Sequence, residues 1–126
     1  MSNLKMKILI VDDFSTMRRI IKNILKQLGY SNIIEADDGS SALTLLKKDK
    51  IDFIVSDWNM PKMSGLDLIK VIRSDEKLKS IPFLMVTAEA QKEQVMKALQ
   101  EGVDNYIVKP FTAEILKEKI DKIFSN

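Results

Sequence analysis

The sequence predicts an α/β domain in which a parallel β-sheet carries helices on both faces. Short apolar runs without alternation recur along its 126 residues, the pattern of strands buried on both sides. Helix-length segments with apolar residues at a 3.6-residue period separate them, and strands that alternate with helices are joined by right-handed crossovers. Four of the apolar runs also stop abruptly at a polar residue: Asp12, Asp57, Thr87 and Lys109. Open α/β sheets bind their ligands at the carboxyl ends of strands.

The first strand is Met6 to Val11, which ends in Asp12-Asp13. From Ser15, apolar residues at Met17, Ile20, Ile21, Ile24, Leu25 and Leu28 make one face of a first helix, closed by Gly29. Asn32 to Ala36 is a short second strand and Asp37-Asp38-Gly39 a turn, in which both acids read as turn residues only. Ala42, Leu43, Leu45 and Leu46 form the apolar side of a second helix. The stretch IDFIVSDWNMP, residues 51–61, organises the rest. Phe53, Ile54 and Val55 form a central strand, Asp57 ends it, and Pro61 cannot continue the ladder. Ser64-Gly65-Leu66-Asp67 has the capping-box pattern and opens a third helix through Leu66, Ile69 and Ile72. Pro82 introduces the fourth strand, Phe83 to Val86, ending in Thr87. A fourth helix, Gln91 to Glu101 with Val95, Met96 and Leu99, stops at Gly102. Tyr106 to Val108 is the fifth strand, ending in Lys109-Pro110, and Thr112 to Phe124 the fifth helix, with Ile115, Leu116, Ile120 and Ile123. The five β/α units show no internal repeat and no linker, so residues 1–126 are expected to be one domain with no effector domain attached.

Composition removes several function classes. Lys+Arg 20 against Asp+Glu 18 leaves +2, and the lysines are spread rather than clustered, so no nucleic-acid footprint is present. Without cysteine there is no disulfide or thiolate zinc site, and without histidine no phosphohistidine relay within the chain. A phosphoryl carrier here must use a carboxylate or a hydroxyl. The opening MSNLKMKILIV is shorter in its apolar run than a signal peptide, and a cytoplasmic protein without a membrane span is expected.

The chemistry is concentrated in Asp12, Asp13 and Asp57. Carboxylates brought together in a partly dry cleft raise one another's pKa unless protons are shared or a cation sits among their oxygens. Mg2+ suits such a cluster, because it is usually held by one or two carboxylates, keeps several waters and leaves room for phosphate oxygens. Thr87 and Lys109 would add a hydroxyl and an ammonium at the same edge, which is what a phosphoryl group needs. Each residue alone has a plainer reading: Asp12-Asp13 as a helix cap, Asp57 as turn chemistry, Thr87 as a cap and Lys109 as a solvated strand end. The joint pattern favours the cation site.

These residues carry a family resemblance. DDFSTMRRI at 12–20, SDWNMP at 56–61, MVTAEA at 85–90 and YIVKPF at 106–111 resemble the receiver domain of two-component response regulators, across the whole chain. Phe14 to Arg19, Trp58-Asn59 and Ala88-Glu89-Ala90 narrow the resemblance to CheY-like chemotaxis response regulators. It implies the flavodoxin-like, doubly wound five-stranded sheet of order 2-1-3-4-5, for which this family is itself a standard example. It implies phosphorylation of Asp57 by a CheA-type histidine kinase with Mg2+, followed by binding to a FliM-like flagellar motor switch protein that controls rotation.

By the same resemblance, Asp13, Asp57 and the Asn59 backbone carbonyl ligate the metal, with Asp12 acting directly or through water. Lys109 pairs with the phosphoryl group, Thr87 hydrogen-bonds it, and Asn59 and Glu89 tune hydrolysis. Tyr106 changes rotamer with state, and the partner face comprises Ala90, Lys92, Val95, Leu99, Tyr106 and Lys119. A cis Lys109-Pro110 bond, a monomer, and a phosphatase as a further partner are implied too. The role implied is a self-phosphorylating and self-dephosphorylating switch rather than an enzyme. Two departures stand out: Leu99 is bulkier than the family's usual small residue, and Ser64 stands where Asp or Asn is frequent.

Two other readings are weaker. A haloacid-dehalogenase-like phosphohydrolase also forms an aspartyl phosphate, but from a D-x-D on its first strand and with a longer chain. A nucleotide-binding domain would carry a Gly-rich loop where this chain has Asp12-Asp13.

Overall fold

The computed structural model describes residues 3–88 and 91–125. Strands β1 (Ile8–Val11), β2 (Ile33–Ala36), β3 (Phe53–Asp57), β4 (Phe83–Thr87) and β5 (Asn105–Val108) alternate with helices α1 (Ser15–Gln27), α2 (Gly39–Lys48), α3 (Gly65–Ser74), α4 (Lys92–Gln100) and α5 (Ala113–Phe124). All strand pairs are parallel, in the order β2-β1-β3-β4-β5, as the sequence led us to expect.

Every residue of β1, β3 and β4 is buried, which explains their unbroken apolar runs. Their side chains alternate between two cores. Leu9, Val11, Ile54, Phe83 and Met85 pack under α2, α3 and α4, against residues such as Leu46, Leu68, Ile69 and Ala98. Ile8, Ile10, Phe53, Val55, Leu84 and Val86 pack under α1 and α5, against Ile21, Leu25, Leu116 and Ile120. Fully burying one such side chain contributes about 1.5–3 kcal/mol, so these two layers dominate the stability.

Helix ends follow the expected chemistry. Gly29 (φ 104°) and Gly102 (φ 107°) stop α1 and α4 in a left-handed conformation that glycine adopts without strain. Around Gly29, Gly29 N donates to Lys26 O and Tyr30 N to Leu25 O, each at 3.0 Å. Around Gly102, Gly102 N donates to Leu99 O and Val103 N to Ala98 O, each at 3.1 Å. The capping box at Ser64 is formed: Asp67 N donates to Ser64 Oγ at 3.1 Å and Ser64 N to Asp67 Oδ2 at 3.4 Å. Ser64 thus serves as the cap despite departing from the family's usual acid or amide.

Three expectations need correction. Asp38 is more than a turn residue: it is the N-cap of α2, accepting from Ser41 N at 2.7 Å, and Gly39 is the first residue of that helix. Ile20 fits the apolar period of α1 yet is 44% exposed, because the helix buries a narrower stripe, through Ile21 and Leu25. On α4 only Ala98 is buried, while Met96 (49%) and Leu99 (44%) face solvent. The helix-forming pattern there is real, but of its apolar residues only Ala98 serves the core, and Leu99 is exposed as its expected place on the partner face requires. α4 is moored at its carboxyl end instead, where Arg73 Nε donates to Gly102 O at 3.0 Å and Arg73 pairs with Asp104 at 3.1 Å.

Candidate functional site

The site lies where the winding of the sheet reverses. From β1 the chain crosses to β2 on one side, while β3 lies on the other, and this leaves a crevice at their carboxyl ends. Val11 is opposite Ser56 in the ladder, so Asp12 and Asp57 emerge side by side. Asp57 stands opposite Val86 and Thr87 opposite Val108, which brings Thr87 and Lys109 to the same edge. Lys109 N donates to Thr87 O at 2.8 Å, and the Lys109-Pro110 peptide is cis.

Oxygens of Asp12, Asp13 and Asp57 all lie within 4.8 Å of one another. Asp12 is fully buried and Asp57 is 4% exposed, whereas Asp13 faces solvent. Asp12 Oδ1 accepts from Phe14 N at 2.9 Å. Its Oδ2 is buried with no hydrogen-bond partner. An unpaired buried oxygen is costly, and it belongs to a residue clustered with two further carboxylates, which makes it a ready ligand for a hard cation. The donor set is all oxygen, as Mg2+ prefers.

Asp57 is held tightly. Lys109 Nζ lies 3.2 Å from its Oδ1, and Ser56 Oγ donates to its backbone carbonyl at 3.0 Å. The loop that follows is closed by Gly65 N donating to Trp58 O at 2.8 Å. A Cβ at Gly65 would collide with the Asp57 carbonyl oxygen and come within 2.8 Å of Met85 Sδ, so glycine lets the start of α3 approach the end of β3. Burial pushes the Asp57 carboxyl above its ordinary pKa; the Lys109 ammonium pulls the other way and Asp13 adds a further push upward. Asp12 is raised as well, by burial first, against its hydrogen bond from Phe14 N.

The comparisons with known proteins agree with this geometry. Residues 8–121 match the family described as "Response regulator receiver domain". The chain belongs to that family. Chemotaxis protein CheY-3 of Vibrio cholerae serotype O1 is 66% identical over 122 residues, covering 97% of this chain and 94% of the relative. Chemotaxis protein CheY of Pseudomonas aeruginosa is 63% identical over 119 residues, covering 94% and 96%. The crystal structure of Vibrio cholerae chemotaxis protein CheY4 superposes with a TM-score of 0.88 at 33% identity, over 95% of this chain and 99% of that one. The protein is a CheY-like receiver, a phosphorylation-activated chemotaxis response regulator and hence a signalling switch.

Other residues singled out from the sequence fall in two places on this receiver. Asn59 is exposed and, with Trp58, Thr87, Ala88 and Gln94, lines a small pocket of about 190 Å³ beside Asp57. Glu89 and Ala90 lie outside the described residues. Lys92 is exposed, Val95 partly buried and Leu99 exposed, and their spacing of three and four puts them on one stripe of α4. Tyr106, on the edge strand β5, packs toward the core layer under α4, and Lys119 Nζ from α5 lies 4.8 Å from its ring centroid. Tyr106 and Lys119 are therefore joined across the sheet edge.

The sequence did not disclose Gln94 as a pocket residue, Ser56 as a support of Asp57, or Arg18 as a partner of Asp12. Gln94 and Arg18 look like ordinary solvated helix residues, and Ser56 is one small residue in an apolar strand. Among the described residues, no helix is long and apolar enough to cross a membrane.

Proposed function

We propose that Asp57 is the phosphoryl acceptor and that Asp12, Asp13, Asp57 and the Asn59 carbonyl hold Mg2+. The observation that supports this reading best is the buried, unpartnered Asp12 Oδ2 beside the Asp57-Lys109 pair. A carboxylate oxygen of Asp57 attacks the phosphorus of the donor, a phosphohistidine of a CheA-type kinase. The P–N bond breaks, its electron pair leaves with the imidazole, and an acyl phosphate forms on Asp57. When bound, Mg2+ neutralises charge on the carboxylates and on the phosphoryl oxygens. The Lys109 ammonium, already 3.2 Å from Asp57, stays to pair with the new phosphoryl oxygens. Thr87 hydrogen-bonds one of them through its hydroxyl, and Asn59 and Glu89 tune the later hydrolysis of the acyl phosphate by water. Both half-reactions use only this chain's residues, the metal and the phosphoryl donor or water, so the switch catalyses its own charging and discharge.

Trp58 is the only tryptophan, follows Asp57 directly and is partly buried. Adding Mg2+ is expected to change its fluorescence, and Asp13→Ala to weaken the apparent affinity by more than about 10-fold, since losing even a hydrogen bond that supports a ligand commonly costs that much. An unchanged titration in the variant would remove Asp13 from the cation site.

Output passes through the face formed by α4, β5 and α5, with Lys92, Val95, Leu99, Tyr106 and Lys119. The exposed Met96 and Leu99 support this, because a helix that keeps apolar residues out of its own core offers them to a partner. When Thr87 moves to meet a phosphoryl oxygen, space opens beneath Tyr106, whose ring turns inward and reshapes the face. The partner is a FliM-like flagellar motor switch protein, met in the cytoplasm by a monomer, with a phosphatase as a further ligand. Allosteric coupling is typically about 1–3 kcal/mol, so beryllofluoride with Mg2+ should tighten binding of a motor-switch peptide roughly 5- to 150-fold in titration calorimetry. Equal affinity with and without beryllofluoride would refute the switch at this face.

A further inference from the structure

Arg18, in the first turn of α1, ties three elements together beside the acidic cluster. Its Nη1 donates to the backbone carbonyl oxygen of Asp12 at 2.7 Å, and its Nε donates to Glu35 Oε1, on β2, at 3.1 Å. Lys22, one turn along α1, reaches Glu35 Oε2 at 3.4 Å. The Arg18 side chain is 18% exposed and that of Glu35 33%, so the fork is part-buried on its Asp12 side and open to solvent at Glu35. Asp12 is held at every other polar atom as well: its N donates to Ala36 O at 3.1 Å and its Oδ1 accepts from Phe14 N at 2.9 Å. Only Oδ2 is left over.

We infer that Arg18 is a positioning residue for the divalent cation: by clamping the Asp12 peptide it fixes the direction in which Oδ2 is presented. Glu35 holds the fork from the other side, through an oxygen that accepts from Nε. Lysine cannot replace it, because a single ammonium lacks the planar pair of donors that reaches both Asp12 O and Glu35. This inference rests on the cation reading of Asp12, Asp13 and Asp57 given above.

The sign of the effect separates positioning from charge. A positive side chain near the site repels a cation, so if charge were all that mattered, Arg18→Ala would tighten Mg2+ binding. Positioning requires the opposite. In a Mg2+ titration of Trp58 fluorescence on the full chain, Arg18→Ala is expected to weaken affinity about 10-fold, the lower end for lost supporting hydrogen bonds. Arg18→Lys keeps the charge and should still weaken it several-fold, whereas Glu35→Gln keeps an acceptor for Nε and should change it little. Urea unfolding without Mg2+ accompanies each titration, since a merely structural role would lower stability and leave the affinity of the folded protein unchanged. Tighter or unaltered binding in Arg18→Ala overturns the inference. If Arg18→Ala does not fold, wild-type affinity in Arg18→Lys overturns it alone. A wild type whose signal ignores Mg2+ would overturn the cation reading itself, and this inference with it.

Discussion

Asp57→Asn should take up no phosphoryl group. Incubated with acetyl phosphate and Mg2+, the wild type is expected to gain the mass of one phosphoryl group in intact mass spectrometry, and the variant none. Position sets Asp57 apart. Of the three carboxylates, only Asp57 ends the central strand β3, and only Asp57 is paired with Lys109, at 3.2 Å. The amide introduced by the substitution has no anionic oxygen to attack phosphorus and would accept a weaker hydrogen bond from Lys109, while the backbone supports from Ser56 and Gly65 remain. The fold should survive and the chemistry should not. Labelling that persists in the variant would reassign the acceptor to Asp12 or Asp13.

The second large effect is a reversal of stability with Mg2+. Burial raises the folded pKa of both Asp12 and Asp57, so the folded protein holds these protons more tightly than the unfolded chain does. The sign follows by linkage: their contribution is most favourable below the ordinary carboxyl value of 3.8, declines as pH rises from there through the raised folded values, and is unfavourable and level above them. In EDTA at neutral pH, Asp12→Asn keeps an acceptor for Phe14 N and removes a buried charge. It should therefore be more stable than the wild type by on the order of 1 kcal/mol, and this advantage should fade as pH falls toward 3.8. Excess Mg2+ should invert the order, since a ligand at 100 times its Kd stabilises the folded form by about 2.7 kcal/mol and the variant binds it poorly. Urea unfolding with and without Mg2+ measures both arms. If the two proteins rank the same way in EDTA and in Mg2+, the carboxylates are not a cation site.

Much of this was legible in the sequence. Strands buried on both faces are largely apolar, so MKILIV, DFIVSD and PFLMVT showed themselves, and a polar residue marked the carboxyl end of each strand. Gly29, Gly102 and Ser64 declared their helix ends because left-handed backbone and capping geometry admit few residue types. Parallel order, in turn, carries Asp12, Asp57, Thr87 and Lys109 to one edge without further information. The motifs carried the family, and with it the strand order and the cis bond at Lys109-Pro110.

Other relations between residues have no local signature and arise only when the chain packs. A 3.6-residue period says which residues share a helix face but not whether that face is covered, so Ile20 and Met96 fit an apolar stripe and yet stand in solvent. Asp38 did carry a cap signal, since Asp is a preferred N-cap residue, but a turn reading of Asp37-Asp38-Gly39 competes with it until the helix is seen to start at Gly39. The burial that leaves Asp12 Oδ2 unpaired, the fork of Arg18 between Asp12 and Glu35, and the approach of α3 over Gly65 all join residues far apart in the chain or differently oriented on it. Sequence patterns encode what one segment needs from its surroundings; which partner meets that need is set only when the sheet closes and the helices pack on it.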